Sequence, residues 1–139
     1  MLRLGKLDDY ALLIATHLSR ADLQATTEEI SSTLKIPKAT VRKLMKLLVD
    51  GGVVTSLRGI QGGYRLAEHP SEISVYEVLQ AISGPICLTE CCEKPHHCDK
   101  RKSCPLPTNW QYLNEQVRNQ FSSITLQDMT GELSGRDKV

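Results

Sequence analysis

The 139-residue sequence predicts a mainly α-helical fold: a winged helix-turn-helix with a small β-hairpin wing and a long C-terminal dimerisation helix. Three observations predict it. Two short helical segments meet at a proline-marked turn, Leu34-Lys-Ile-Pro37. A strand-like run and a glycine-rich turn follow directly. Near the C-terminus, apolar residues recur at a spacing of three to four, as in a helix-pairing seam.

Asp8 or Asp9 is expected to cap a first helix ending near Ser19, with Tyr10, Leu13, Ile14 and Leu18 on its buried face. Thr26-Thr-Glu-Glu29 is a capping box, in which the threonine hydroxyl and the glutamate carboxylate satisfy each other's backbone amides; it opens a helix from Thr27 to about Leu34. Ile36-Pro37 breaks that helix and suits the first turn of the next, expected over 37–50 with Val41, Leu44, Leu47 and Leu48 inward. Gly51-Gly52 ends it. Val53 to Arg58 reads as a strand, Gly59 to Gly63 as a flexible turn, and Tyr64 to Leu66 as the return strand. A further helix is expected over 71–83, stopped by Gly84-Pro85. Thr108 should cap a final helix from Asn109 to about Met129, with Trp110, Leu113, Val117, Phe121 and Ile124 along its seam. The expected organisation is therefore 1–84 for the DNA-binding unit, 85–107 for a cysteine-rich loop, 108–130 for the dimerisation helix, and 131–139 for a disordered tail.

Net charge is only +1, but it is unevenly distributed. Between Lys35 and Arg65 seven basic residues face one acid, Asp50, giving +6 there and −5 elsewhere. Such a segment suits a polyanion. A basic helix face by itself is most often a solvated surface. A basic helix followed by a hairpin with arginines at both ends is a more specific combination. Lys38, Thr40, Arg42, Lys43 and Lys46 would face the major groove or its phosphates, and Arg58 the minor groove or a phosphate. The glycines do not read as a nucleotide loop, since no P-loop lysine pattern accompanies them. The expected partners are double-stranded DNA with a pseudo-palindromic site and a second copy of the chain. No run approaches a membrane span and no targeting signal is evident, so a cytoplasmic protein is expected.

All five cysteines fall in the eighteen residues from Cys87 to Cys104, with His96 and His97 among them. In a reducing compartment, clustered thiols point to metal or redox chemistry rather than disulfides. Thiolates suit zinc and iron–sulfur clusters alike. An enzyme using Cys91 or Cys92 as a nucleophile is disfavoured by the lack of a CxxC motif and of a well-placed general base.

The run from Val54 to Ala67 with its Gly-Gly-Tyr turn, the segment Ile73 to Leu79, and Cys92-x5-Cys98-x5-Cys104 followed by Trp110 resemble the bacterial IscR/NsrR-type winged-helix regulators. The match looks nearest to the regulators of the SUF iron–sulfur assembly system. The resemblance implies a homodimeric DNA-binding repressor, not an enzyme, holding a 2Fe–2S or 4Fe–4S cluster. Carried over, Cys92, Cys98 and Cys104 are the thiolate ligands, with Cys91 competing for the first position. Alignment from the wing forward selects Cys91, whereas the x5 spacing selects Cys92. The IscR-type fourth ligand, a histidine, falls on Pro107, which cannot ligate. The NsrR-type aspartate from the second subunit falls on Asp9, making Asp9 the candidate, with His96, His97, Cys87 and Cys91 as rivals. The alternatives are a structural zinc site and a nitric oxide- or redox-sensing repressor built on the same loop.

Overall fold

Helix α1 (Lys6–Leu18) begins two residues before the acids expected to cap it. The computed structural model describes residues 2–20, 23–95, 98–131 and 133, and shows why. Asp8 lies inside the first turn and reaches back, its Oδ2 accepting the Gly5 N–H at 2.9 Å. Its Oδ1 accepts the Ser83 hydroxyl at 2.5 Å. Asp8 is thus a buried tie between the start of α1 and the end of α4 (Val75–Ser83). The buried face is also rotated from the expected one. Ala11, Ile14, Ala15 and Leu18 are inside, while Leu13 is 44% exposed. Two of the four are alanines, and α1 packs against α4, to which Asp8 also ties it.

Helix α2 (Thr27–Leu34) has the expected box: Glu29 N–H donates to Thr26 Oγ1 at 3.2 Å, and Thr26 N–H to Glu29 Oε2 at 2.7 Å. Such caps contribute about 1 kcal/mol. Lys35 turns the chain in the left-handed conformation, φ 55°, and buried Ile36 pins the turn. Pro37 is the N-cap of α3 (Lys38–Asp50). Val41, Leu44, Met45 and Leu48 are its buried residues; Leu47, expected inside, is only half-buried. At the end of α3, a Cβ on Gly51 would come within 2.5 Å of the Ala81 Cβ. Glycine there sets how closely α3 meets α4.

Strands β1 (Val54–Leu57) and β2 (Gly63–Leu66) pair antiparallel, Val54 opposite Leu66 and Leu57 opposite Gly63. Ala25 adds a one-residue third strand through reciprocal backbone bonds with Tyr64, at 3.0 and 2.8 Å. Gly63, at φ 150°, has no room for a side chain: a Cβ would sit 2.8 Å from the Ala25 carbonyl oxygen. The sequence suggested flexibility for these glycines. Gly63 instead permits close approach between the wing and the body of the domain.

Two expected helices are each divided. The 71–83 helix resolves into a 3₁₀ turn at Pro70–Glu72, an extended Ile73, and α4, which starts at a second capping box formed by Ser74 and Glu77. The final helix is α5 (Pro107–Ser122), with proline rather than Thr108 at its start. It stops at Ser123, and a third box, Thr125 with Asp128, opens α6 (Leu126–Met129). Val75 N–H donates to Ile124 O and Leu126 N–H to Ile73 O, both at 2.9 Å. Leu126 is fully buried in a core otherwise drawn from α1 to α4, the hairpin and the connecting residues Ala25, Ile36, Val53 and Ile73. The chain therefore leaves this core, makes the cysteine loop and α5, and returns. Residues 134–139 of the expected tail, and Glu132, lie outside the described residues.

Candidate thiol cavity and nucleic-acid interface

The cysteine loop is fastened to α5 by polar groups. Asn114, 4% exposed, treats the loop backbone as a second strand would. Its Oδ1 accepts the Leu88 N–H at 2.8 Å and its Nδ2 donates to the Ile86 carbonyl at 3.0 Å. Arg118 Nε donates to the same carbonyl at 3.2 Å. Beyond this clamp the chain makes a 3₁₀ turn at Glu90–Cys92. The Thr89 hydroxyl lies 3.0 Å from Cys91 Sγ and 3.4 Å from Cys92 Sγ. Cys87 Sγ donates to the Cys92 carbonyl at 3.5 Å.

A cavity of about 300 Å³ lies between this turn and the start of α5. Cys91, Cys98 and Cys104 line it, together with Thr89, Glu90, Arg101, Pro107 and Trp110. Cys92 lines a neighbouring cavity of about 540 Å³, on the α4 side, which it shares with Cys91. The 3₁₀ turn sets consecutive side chains about a third of a circle apart, so of the two adjacent cysteines Cys91 lines the cavity shared with Cys98 and Cys104. All five cysteines are free thiols. Among the described residues, no three His, Cys, Asp or Glu side chains converge at metal-ligand distances. The residue types still fit a soft metal centre: three cysteines line one cavity, with a tryptophan and a proline among its other walls. The Leu106 N–H donates to Cys104 Sγ at 3.4 Å. No side-chain hydrogen bond caps the start of α5, and the positive end of its dipole lies close in sequence to Cys104. Pro107, which cannot ligate, opens α5 and forms part of the cavity wall. Asp9 is exposed on α1 and does not line this cavity; His96 and His97 lie outside the described residues.

The basic residues gather on and around α3. Arg42, Lys43 and Lys46 are exposed, and Thr40 is half-buried. Lys38 is exposed but engaged, its Nζ 2.5 Å from Glu28 Oε1 on α2. That ammonium, with a lesser contribution from Arg42, holds the Glu28 carboxyl below its ordinary value of 4.5. Arg58 is exposed where β1 leaves the sheet, beside the fully exposed Ile60 at the wing tip. Gln24 Nε2 donates to the Gln61 carbonyl, tethering that tip. A recognition-type helix and a wing thus stand on one rigid core.

Residues 4–132 match the family described as Rrf2, iron-dependent transcriptional regulators. The chain belongs to the Rrf2 family. Among its Rrf2-type relatives, NsrR of Oceanobacillus iheyensis is 32% identical over 108 residues, 76% of this chain and 74% of that protein. IscR of Photobacterium profundum is 31% identical over 113 residues, 78% of this chain and 65% of that protein. The fold is shared with CymR, the global cysteine regulator of B. subtilis, at a TM-score of 0.72 and 24% identity, covering 94% of this chain and 97% of that one. This Rrf2 protein is accordingly a winged-helix DNA-binding transcriptional regulator and not an enzyme. No helix among the described residues is long and apolar enough to cross a membrane. The sequence reading overlooked three residues: Asn114 and Arg118, which fasten the loop, and Glu28, which engages Lys38. Asn114 left a faint trace, as a polar residue four positions after Trp110 on a helix read only for its apolar seam.

Proposed function

We propose that this Rrf2 protein is a homodimeric repressor whose hold on DNA depends on an iron–sulfur cluster bound in the thiol cavity. Its regulatory targets would be SUF cluster-assembly genes. The observation that supports this reading is that Cys91, Cys98 and Cys104 line one cavity at the start of α5. These three would hold the cluster, with Cys92 as the spare thiol, and a fourth ligand would come from Asp9 of a second protomer. When bound, the cluster supplies a centre that is gained or lost with iron supply, oxidation or nitric oxide.

This chain's residues supply the coupling. Asn114 and Arg118 fix the loop's first residues to α5. Cys104 and Pro107 join its last residues to the start of the same helix. Drawing the three sulfurs together would pull the Glu90–Cys92 turn against α5. The half-exposed stripe formed by Leu106 and Leu113, 44% and 47% exposed, suits pairing with a second α5. A change in that pairing alters the separation of the two α3 helices, and half-sites on DNA tolerate little error in separation. Arg42, Lys43 and Lys46 would meet the major groove and its phosphates, and Arg58 the minor groove.

The test is the visible absorption spectrum of protein purified without oxygen, with iron, sulfide and zinc assayed on the same sample. Broad visible bands with matching iron and sulfide are expected, together with altered operator affinity when the cluster is removed. A colourless protein carrying stoichiometric zinc would replace this reading with a zinc-stapled DNA-binding dimer.

A further inference from the structure

We propose that Glu28 is a specificity-determining residue: it neutralises Lys38 at the start of α3, so that this lysine adds nothing to sequence-independent binding of phosphates. The inference rests on the reading of α3 as the face that meets DNA. Lys38 is the first residue of α3, where a cation would ordinarily reach a backbone phosphate. Its ammonium is instead held at 2.5 Å by a carboxylate of the preceding helix. Both side chains are well exposed, at 45% and 62%, so burial does not force the pairing.

The neighbouring acid has a different task. Glu29 accepts the Thr26 N–H and completes the capping box of α2. Glu28 plays no part in that box; its carboxylate faces Lys38 and, more distantly, Arg42. A carboxylate so close to the helix that meets DNA would repel the duplex if left bare. A bare lysine would bind any duplex. Paired, they form a neutral patch beside Arg42, Lys43 and Lys46. Non-specific affinity, which scales with the phosphates neutralised, is then lower, while contacts to base edges are retained. The ratio of specific to non-specific affinity rises.

The experiment measures binding to a duplex of random sequence as a function of salt, so no operator need be known. The proteins are the full chain, Glu28→Gln, Lys38→Gln, the double variant, and Arg42→Gln as a marker of the interface. Thermal melting of each confirms folding. Glu28→Gln should tighten binding several-fold and steepen the plot of log affinity against log salt by about 0.9 per freed lysine. Lys38→Gln should weaken binding by exposing Glu28, and the double variant should return close to the parent. Arg42→Gln should flatten the slope. If Arg42→Gln flattens it while Glu28→Gln leaves slope and affinity unchanged, the masking role is wrong and the interface stands. If neither variant changes the slope, the interface assignment fails and the masking role fails with it.

Discussion

The core that carries the wing and the loop that carries the thiols are held by different forces. In the first, α1 to α4 and the hairpin enclose Ile14, Leu18, Ile30, Val41, Leu44, Met45 and Leu48, each at most 1% exposed. Among the described residues of 85–107, Cys91 is the buried one, and the segment is attached through Asn114, Arg118 and sulfur contacts. Apolar burial at about 25 cal/mol per Å² makes the first region a stable platform. A few hydrogen bonds, each contributing about 1 kcal/mol net, make the second one easily rearranged. Such a division would suit a regulator, in which the part that reads DNA keeps its shape while a less firmly held part can rearrange.

The contrast can be broken at either end. Leu44→Ala should cost about 2–5 kcal/mol, because it opens a cavity where α3 packs into the core. Chemical denaturation should report a global loss, with wing and loop unfolding together. Asn114→Ala should cost about 1–3 kcal/mol, since the Leu88 N–H and Ile86 carbonyl lose a partner. Here the loss should be local. Hydrogen exchange should quicken around 86–88 and spare the amides of α3, and helical circular dichroism should hold. Equal acceleration in both regions would mean that loop and core are one cooperative unit.

The smallest effect should be that of pH through Glu28. Lys38 depresses its carboxyl, so the ion pair's contribution is complete above the ordinary value of 4.5 and is lost as pH falls through the lowered one. Because both groups are exposed, the stability change should be slight and should vanish at high salt. Titration by NMR should show the Glu28 carboxyl returning toward its ordinary value in Lys38→Gln. An unmoved titration would mean that the pair does not persist in solution.

Much of the fold was legible because it depends on local chemistry. The Thr26–Glu29 box, the turn at Pro37 and the hairpin of β1 and β2 each lie within a few residues of sequence. Errors arose where distant contacts decide. Asp8 was read as a cap outside the helix because its partner Ser83 is 75 residues away. The inward face of α1 differs from the expected one because Ala11 and Ala15 are buried while the more hydrophobic Leu13 is exposed. The capping boxes at Ser74 and Thr125 were present in the sequence but were overridden by the continuous apolar periodicity around them. At the site, the cysteine cluster and its neighbour Trp110 were evident. Which of the two adjacent cysteines lines the cavity with Cys98 and Cys104 was not, because spacing cannot reveal the 3₁₀ turn at Glu90–Cys92.

That choice permits the most direct test. Cys91→Ala, Cys92→Ala and Cys98→Ala would be purified without oxygen and compared with the parent by visible absorption and by iron and sulfide per chain. The Cys91 and Cys98 variants should lose the bands and the metal, while the Cys92 variant should retain both. A colourless Cys92 variant beside an unchanged Cys91 variant would contradict the assignment of Cys91, Cys98 and Cys104 as the cluster-binding set.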